Sequence, residues 1–174
     1  MPSTKNSIKN SMEYYNSISQ GYEELHGEEQ RRKLTIVRQH LRVKGSELLL
    51  DVGCGTGITT QFSSRTVGID PAIRLLKKAR IRSRVNGVAE HLPFKDSAFD
   101  IIVSITAIQN FQDIEEGLKE ILRVGKDRFA LSFLKKSVKR EDIESGINRL
   151  FRVTEIIEEE KDVIIFCDKR RVIT

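Results

Sequence analysis

Residues 48–57 read LLLDVGCGTG, from Leu48 to Gly57. The three leucines form a short apolar run of the kind shown by a strand buried on both faces. Asp51 follows, and glycine then takes every second position, at Gly53, Gly55 and Gly57. With no Cβ in the way, such a backbone can turn tightly and come close to a bound ligand. Residues 58–64 are expected to begin a helix whose first N–H groups point back at the same ligand. A strand, a glycine turn and a helix start together predict a cofactor site at the carboxyl end of a parallel sheet. The dinucleotide fingerprint G-x-G-x-x-G/A does not fit, because counted from Gly53 its last position falls on Ile58.

Working outward, residues 66–70 (TVGID) predict a second strand and residues 71–83 a basic helix with Pro71 at its first position. A third strand is expected at 85–89 and a fourth at 100–105. A helix at 113–124 has Ile114, Leu118, Ile121 and Leu122 on one face. A fifth strand is expected at 128–134, a modest helix at 140–149, and a hairpin of strands at 150–157 and 162–168. Ahead of all this, Tyr15, Ile18 and Tyr22 share one helical face. A second helix at 28–43 carries the stripe Leu34, Val37, Leu41, with Arg31, Arg32 and Lys33 expected on its solvated side.

A chain of 174 residues can build one core, so a single domain over 1–174 is expected. It divides into an N-terminal helical segment, 1–45, and an α/β core, 46–174. Hydrophobic residues at 39% and charged residues at 32% suit a soluble protein. No apolar run approaches 18 residues, so no membrane contact is expected. The start MPSTKNSIKNS lacks the apolar centre of a signal peptide, which points to the cytoplasm. Cys54 and Cys167 stand far apart, with no C-x-x-C or Cys/His cluster, so neither a metal site nor a disulfide framework is expected. The net charge of +5 is compatible with an anionic partner and equally with ordinary lysine-rich solubility.

The segment Asp51–Gly57 resembles the first motif of the class I S-adenosylmethionine-dependent methyltransferases. VGID (67–70), AEHLPF (89–94) and FDIIVSI (99–105) follow at the family's intervals. The likeness runs from about Met12 to Asp168, closest to the quinone-methyltransferase type in a minimal form without a cap insertion. It implies a doubly wound, Rossmann-like seven-stranded sheet in the order 3-2-1-4-5-7-6 with the last strand antiparallel, and S-adenosyl-L-methionine as cofactor. The residues it implies around that cofactor are Tyr14 and Tyr22 from the N-terminal segment, the turn residues Asp51, Gly53, Cys54, Gly55 and Gly57, then Asp70 and Pro71, Ala89 and Glu90, and Ser104 and Ile105. Asp70, 19 residues after Asp51, can accept the hydroxyls of an adenosine ribose. Many relatives have two histidines where Gln109 and Asn110 stand here. Amides cannot act as bases near neutral pH, so Ser104, Gln109 and Asn110 are candidates only for the mouth of the site, and the catalytic residues stay open.

The acceptor is open as well. The link 135–139 is too short for a cap domain, so the mouth is expected to be open and rimmed by Lys135, Lys136, Lys139 and Arg140. With the basic stretch 74–84, this suits a structured RNA such as tRNA. The alternatives are a quinone-like small molecule, a protein acceptor, or a non-catalytic cofactor-binding subunit that helps a partner. A partner subunit or a homodimer could complete the site.

Overall fold

The computed structural model describes residues 13–15, 17 and 22–170. Seven strands form one sheet in the order β3-β2-β1-β4-β5-β7-β6. They are β1 (Leu48–Val52), β2 (Arg65–Asp70), β3 (Ser83–Asn86), β4 (Phe99–Ser104), β5 (Gly125–Leu134), β6 (Phe151–Glu158) and β7 (Asp162–Lys169). Strands β1 to β5 pair in parallel, and β7 runs antiparallel to both β5 and β6. Among the described residues, the helices α1 (Tyr22–Leu41), α2 (Ile73–Lys78), α3 (Ile114–Val124) and α4 (Arg140–Leu150) accompany them. The strand order and Rossmann-like architecture are those implied by the sequence motifs.

The leucine run explains why the sheet is covered on both sides. Successive side chains of a strand point to opposite faces. Leu50 joins the larger core, under α3 and α4, with Leu118, Ile121 and Ile147. Leu49 joins the other, where Val37 and Leu41 of α1 pack on Ile101, Val103 and Phe166. Helix α3 is well specified locally. Asp113 caps it by accepting from the N–H of Glu116 at 3.0 Å, and Leu118 and Ile121 are fully buried. Burying each of these two side chains is worth roughly 1.5–3 kcal/mol.

Three helices differ from expectation, the first being α1, which spans Tyr22–Leu41 rather than 28–43. Residues 58–64 do not start an α-helix. The crossover from β1 to β2 holds only a 3-10 turn at Ile58–Thr60. Five strand residues span about 16 Å, and a helix running back that far takes about eleven residues at 1.5 Å each. The crossover, residues 53–64, must supply the glycine turn as well, so it is too short for both. Helix α1 packs against the 3-10 turn instead and covers that face. The third case is α2, which ends at Lys78 rather than Ser83, with Ala79 extended. Arg84 folds back to donate to the carbonyls of Leu76, Lys77 and Ala79 at 3.1–3.4 Å. Ile81 drops into a small cluster with Cys54, Leu76 and Ala79. Pairing of Ser83 with Val67 then draws the chain into β3 two residues earlier than its apolar pattern suggests.

Lys33 is a further correction. Arg31 and Arg32 are exposed as expected, but Lys33 is fully buried. No described helix is long and apolar enough to cross a membrane.

Candidate cofactor site

The glycine turn is held by its own backbone. Gly53 and Cys54 both donate to the carbonyl of Ile69, at 2.8 and 3.2 Å, which ties the end of β1 to the end of β2. Gly53, Gly55 and Gly57 all have positive φ, at 78°, 53° and 77°. The turn forms one wall of a cavity at the carboxyl ends of β1, β2 and β4, with Val52, Gly53 and Gly55 facing in. A second wall comes from the end of β2 and the start of α2, through Asp70, Pro71 and Leu75. Ala89 and Glu90 form a third, and Ile105, Thr106, Ala107, Asn110 and Phe111 a fourth. Tyr15 closes over it.

Asp70 is the charged centre of this cavity. Its side chain is held by two backbone donors, Ala72 N–H to Oδ1 at 2.7 Å and Gly55 N–H to Oδ2 at 2.8 Å. Burial pushes its carboxyl above the ordinary aspartate range, and the two N–H donors pull the other way. Each oxygen accepts one of these bonds, which leaves acceptor capacity directed at a ligand. Glu90 bridges two cavity walls, since its Oε1 accepts from the N–H of Gln112 at 2.5 Å and of Asp113 at 3.4 Å.

Several residues expected at the site stand behind it. Asp51 is fully buried and accepts the hydroxyl of Thr60, linking the turn to the 3-10 segment. Cys54 points away, into the Ile81 cluster, and burial raises its thiol pKa. A Cβ on Gly57 would lie 2.8 Å from Ile81, so this glycine serves packing. Ser104 Oγ donates to the carbonyl of Val52 at 2.9 Å, beyond the last β1–β4 pair, Asp51 with Val103. Gln109 folds back to donate to the carbonyl of Thr106, whereas Asn110 faces the cavity and donates to Tyr15 Oη at 3.2 Å. Tyr14 is 54% exposed and meets the Tyr15 ring edge-on, so among the described side chains the tyrosine at the cavity is Tyr15. The helical spacing of the tyrosines could not make that choice without knowing where the segment docks. The side chain of Tyr22 lies outside the described residues. Thr106 carries no sequence signal, yet it lines the cavity with φ at +55°, a conformation that β-branched residues rarely adopt.

Residues 50–131 match the methyltransferase domain family. Over this segment the chain carries a methyltransferase domain. That domain implies S-adenosylmethionine as the cofactor. The residues present fit such a group. At Gly53 and Gly55 the turn presents backbone with no side chain to the cavity, apolar walls flank it, and Asp70 and Glu90 line it with carboxyl groups. Among curated relatives, the chain is 38% identical over 101 residues to a demethylmenaquinone methyltransferase of Corynebacterium kroppenstedtii, covering 55% of this chain and 43% of that protein. It is also 38% identical over 96 residues to a probable tRNA methyltransferase 9B of Homo sapiens, covering 51% of this chain and 21% of that one. The chain thus spans half the length or less of these relatives. Among solved structures, it is similar to one titled as the complex of the Haloferax volcanii Trm112 methyltransferase activator and the putative methyltransferase. The TM-score is 0.76 at 15% identity, with 90% of this chain and 98% of that one covered, a likeness of fold.

Proposed function

We propose that this protein is a methyltransferase that uses S-adenosylmethionine and acts on an RNA acceptor. The observation that carries the cofactor reading is the Asp70 carboxylate, fixed by Gly55 and Ala72 beside a glycine turn in an apolar cavity. In this reading Asp70 accepts the ribose hydroxyls, Ala89 and Glu90 stand by the adenine, and Gly53 and Gly55 leave room for the methionine part. Asp51, Cys54, Gly57 and Ser104 shape the site from behind. Pro71 and Ile105 supply apolar wall. The cofactor brings a methyl group already activated on sulfur. The chain's task is then to orient an acceptor atom in line with it and to exclude water, and orientation can supply much of the rate. Asn110 and Tyr15 stand at the mouth for that purpose.

The RNA part rests on the overall charge, the exposed cations along 74–82, and the likeness to a probable tRNA methyltransferase. The rim cations are less available than the sequence suggested. Lys135 pairs with Glu158 at 3.2 Å, Arg140 with Glu144 at 2.8 Å, and Lys139 donates to the carbonyl of Phe111. Exposed ion pairs of this kind are worth ~0–1 kcal/mol, so a phosphate can replace them. A partner subunit is a second reading, supported by the fold likeness to the protein of the Trm112 complex.

The test is labelled S-adenosylmethionine offered in parallel with cellular RNA, protein and a small-molecule extract. Label should enter RNA, and its transfer should fall steeply with salt as counterion release weakens binding. Label confined to the small-molecule or protein fraction would reject RNA. Label that enters RNA only when cell extract is added would favour the partner reading.

A further inference from the structure

The cavity wall at Thr106 is held by a buried polar cluster that the proposed chemistry does not use. Lys33 of α1 is fully buried, and three oxygens surround its ammonium. They are Glu29 Oε1 at 2.7 Å, Thr106 Oγ1 at 2.8 Å and Asp162 Oδ2 at 2.5 Å. Asp162, at the start of β7, is also fully buried and accepts the Thr106 hydroxyl at Oδ1, 2.7 Å away. Ser132 of β5, likewise buried, accepts the Thr106 N–H at 2.8 Å. Gln109 donates to the Thr106 carbonyl at 2.8 Å. Every polar atom of Thr106 is therefore engaged, by groups from four different parts of the chain.

Such a concentration of bonds on one residue matches its backbone. A β-branched residue at φ +55° is strained, and strain persists only where the surroundings over-determine it. The turn has a consequence at the cavity. It directs Ala107 against the glycine turn so closely that a Cβ on Gly53 would lie 2.4 Å from Ala107 Cβ. The two walls thus meet at Gly53 and Ala107, and the left-handed turn at 106 sets how they meet.

We propose that Lys33, Asp162 and Ser132 form a clamp that holds Thr106 left-handed, and that this turn sets the shape of the cavity for the cofactor. Lys33 is then a positioning residue for methyl transfer, acting through Thr106 without touching the ligand. The inference rests on the reading of the cavity as the cofactor site. It also gives a fully buried lysine a task that α1 docking alone does not require, since Val37 and Leu41 already provide apolar contact.

A double-mutant cycle tests it, with S-adenosylhomocysteine as probe in calorimetry on the full chain. Lys33→Met keeps the length of the side chain and removes the ammonium. It should weaken binding about tenfold, because Thr106 then relaxes out of the left-handed region. Glycine adopts that region without strain. In a Thr106→Gly background the same Lys33→Met change should therefore alter affinity less than about threefold. A merely structural role in holding α1 would lower affinity equally in both backgrounds, and that outcome overturns the proposal. If thermal melts show that Lys33→Met does not fold, Ser132→Ala enters the same cycle. It should weaken binding about threefold, with the loss diminished when residue 106 is glycine. An equal loss in both backgrounds, or no loss, overturns the proposal there too. Failure of the unaltered protein to bind the probe overturns the cofactor reading and the clamp with it. Binding without coupling overturns the clamp alone.

Discussion

Two segments make left-handed turns beside the same cavity by opposite means. At 53–57 the chain uses glycine at each left-handed position, so the backbone carries no strain there, and one side chain, Asp70, accepts an N–H of the turn. At 106 it uses a threonine, and four side chains hold the residue in place. The first solution draws only on the neighbouring strand β2, whose Ile69 and Asp70 accept the turn's N–H groups. The second depends on α1, β5 and β7 all being docked, so it reports on whether the whole fold is assembled. One wall of the cavity thus needs only its adjacent strand, and the other forms only when distant elements arrive.

The comparison can be broken most directly at Gly53. Gly53→Val places a branched side chain at φ +78° and against Ala107, where even a Cβ would lie 2.4 Å away. It should abolish S-adenosylmethionine binding in calorimetry and lower stability in urea by roughly 2–5 kcal/mol, combining backbone strain with overpacking. A folded variant with retained affinity would show that the two walls do not meet as described. Asp70→Ala comes next. It removes the acceptor for the Gly55 and Ala72 N–H groups, and the proposed acceptor for the ribose. Cofactor affinity should fall by about 1.5–3 kcal/mol. In the unaltered protein, affinity should also decline on acidification, starting at higher pH than an ordinary aspartate would give, because burial raises the Asp70 pKa.

The smallest effect is expected at the outer end of the Thr106 clamp. Burial works against the Glu29 carboxylate, but the Lys161 and Lys33 ammoniums outweigh it and hold its pKa down to about 2. A carboxylate with a lowered folded-state pKa stabilises the fold above its unfolded value near 4.5, and that contribution is lost as pH falls toward 2. Glu29→Gln should therefore lower stability at pH 7 by roughly 1 kcal/mol, discounted for solvent screening. The gap between the two proteins in thermal melts should close between pH 4.5 and 2. A gap that stays constant over that range would mean Glu29 contributes shape rather than charge.

Much of this protein was legible along the chain because the relevant signals are local. The leucine run and the alternating glycines depend on neighbours a few residues away, and Asp51, Asp70 and Glu90 each lie in a short segment with its own motif. They carry the family resemblance, which in turn implies the strand order, and they single out Asp70, which the structure places at the cavity. Gly55 and Ala89 belong to the same set. Helix lengths were less legible, because residues 58–64 and 79–83 are governed by how far the chain must travel to pair with its next strand. That distance is a property of the sheet.

What only the tertiary structure decided is which side chains turn inward where two elements meet. Lys33 sits in a run of three basic residues, and no local rule separates it from Arg31 and Arg32. Its burial follows from Asp162, 129 positions away, arriving opposite it. The choice of Tyr15 over Tyr14, the withdrawal of Ser104 and Gln109 into backbone hydrogen bonds, and the left-handed Thr106 have the same origin. Glycine states its conformation in the sequence because the freedom belongs to the residue. Threonine at 106 cannot, because its conformation belongs to the contacts around it.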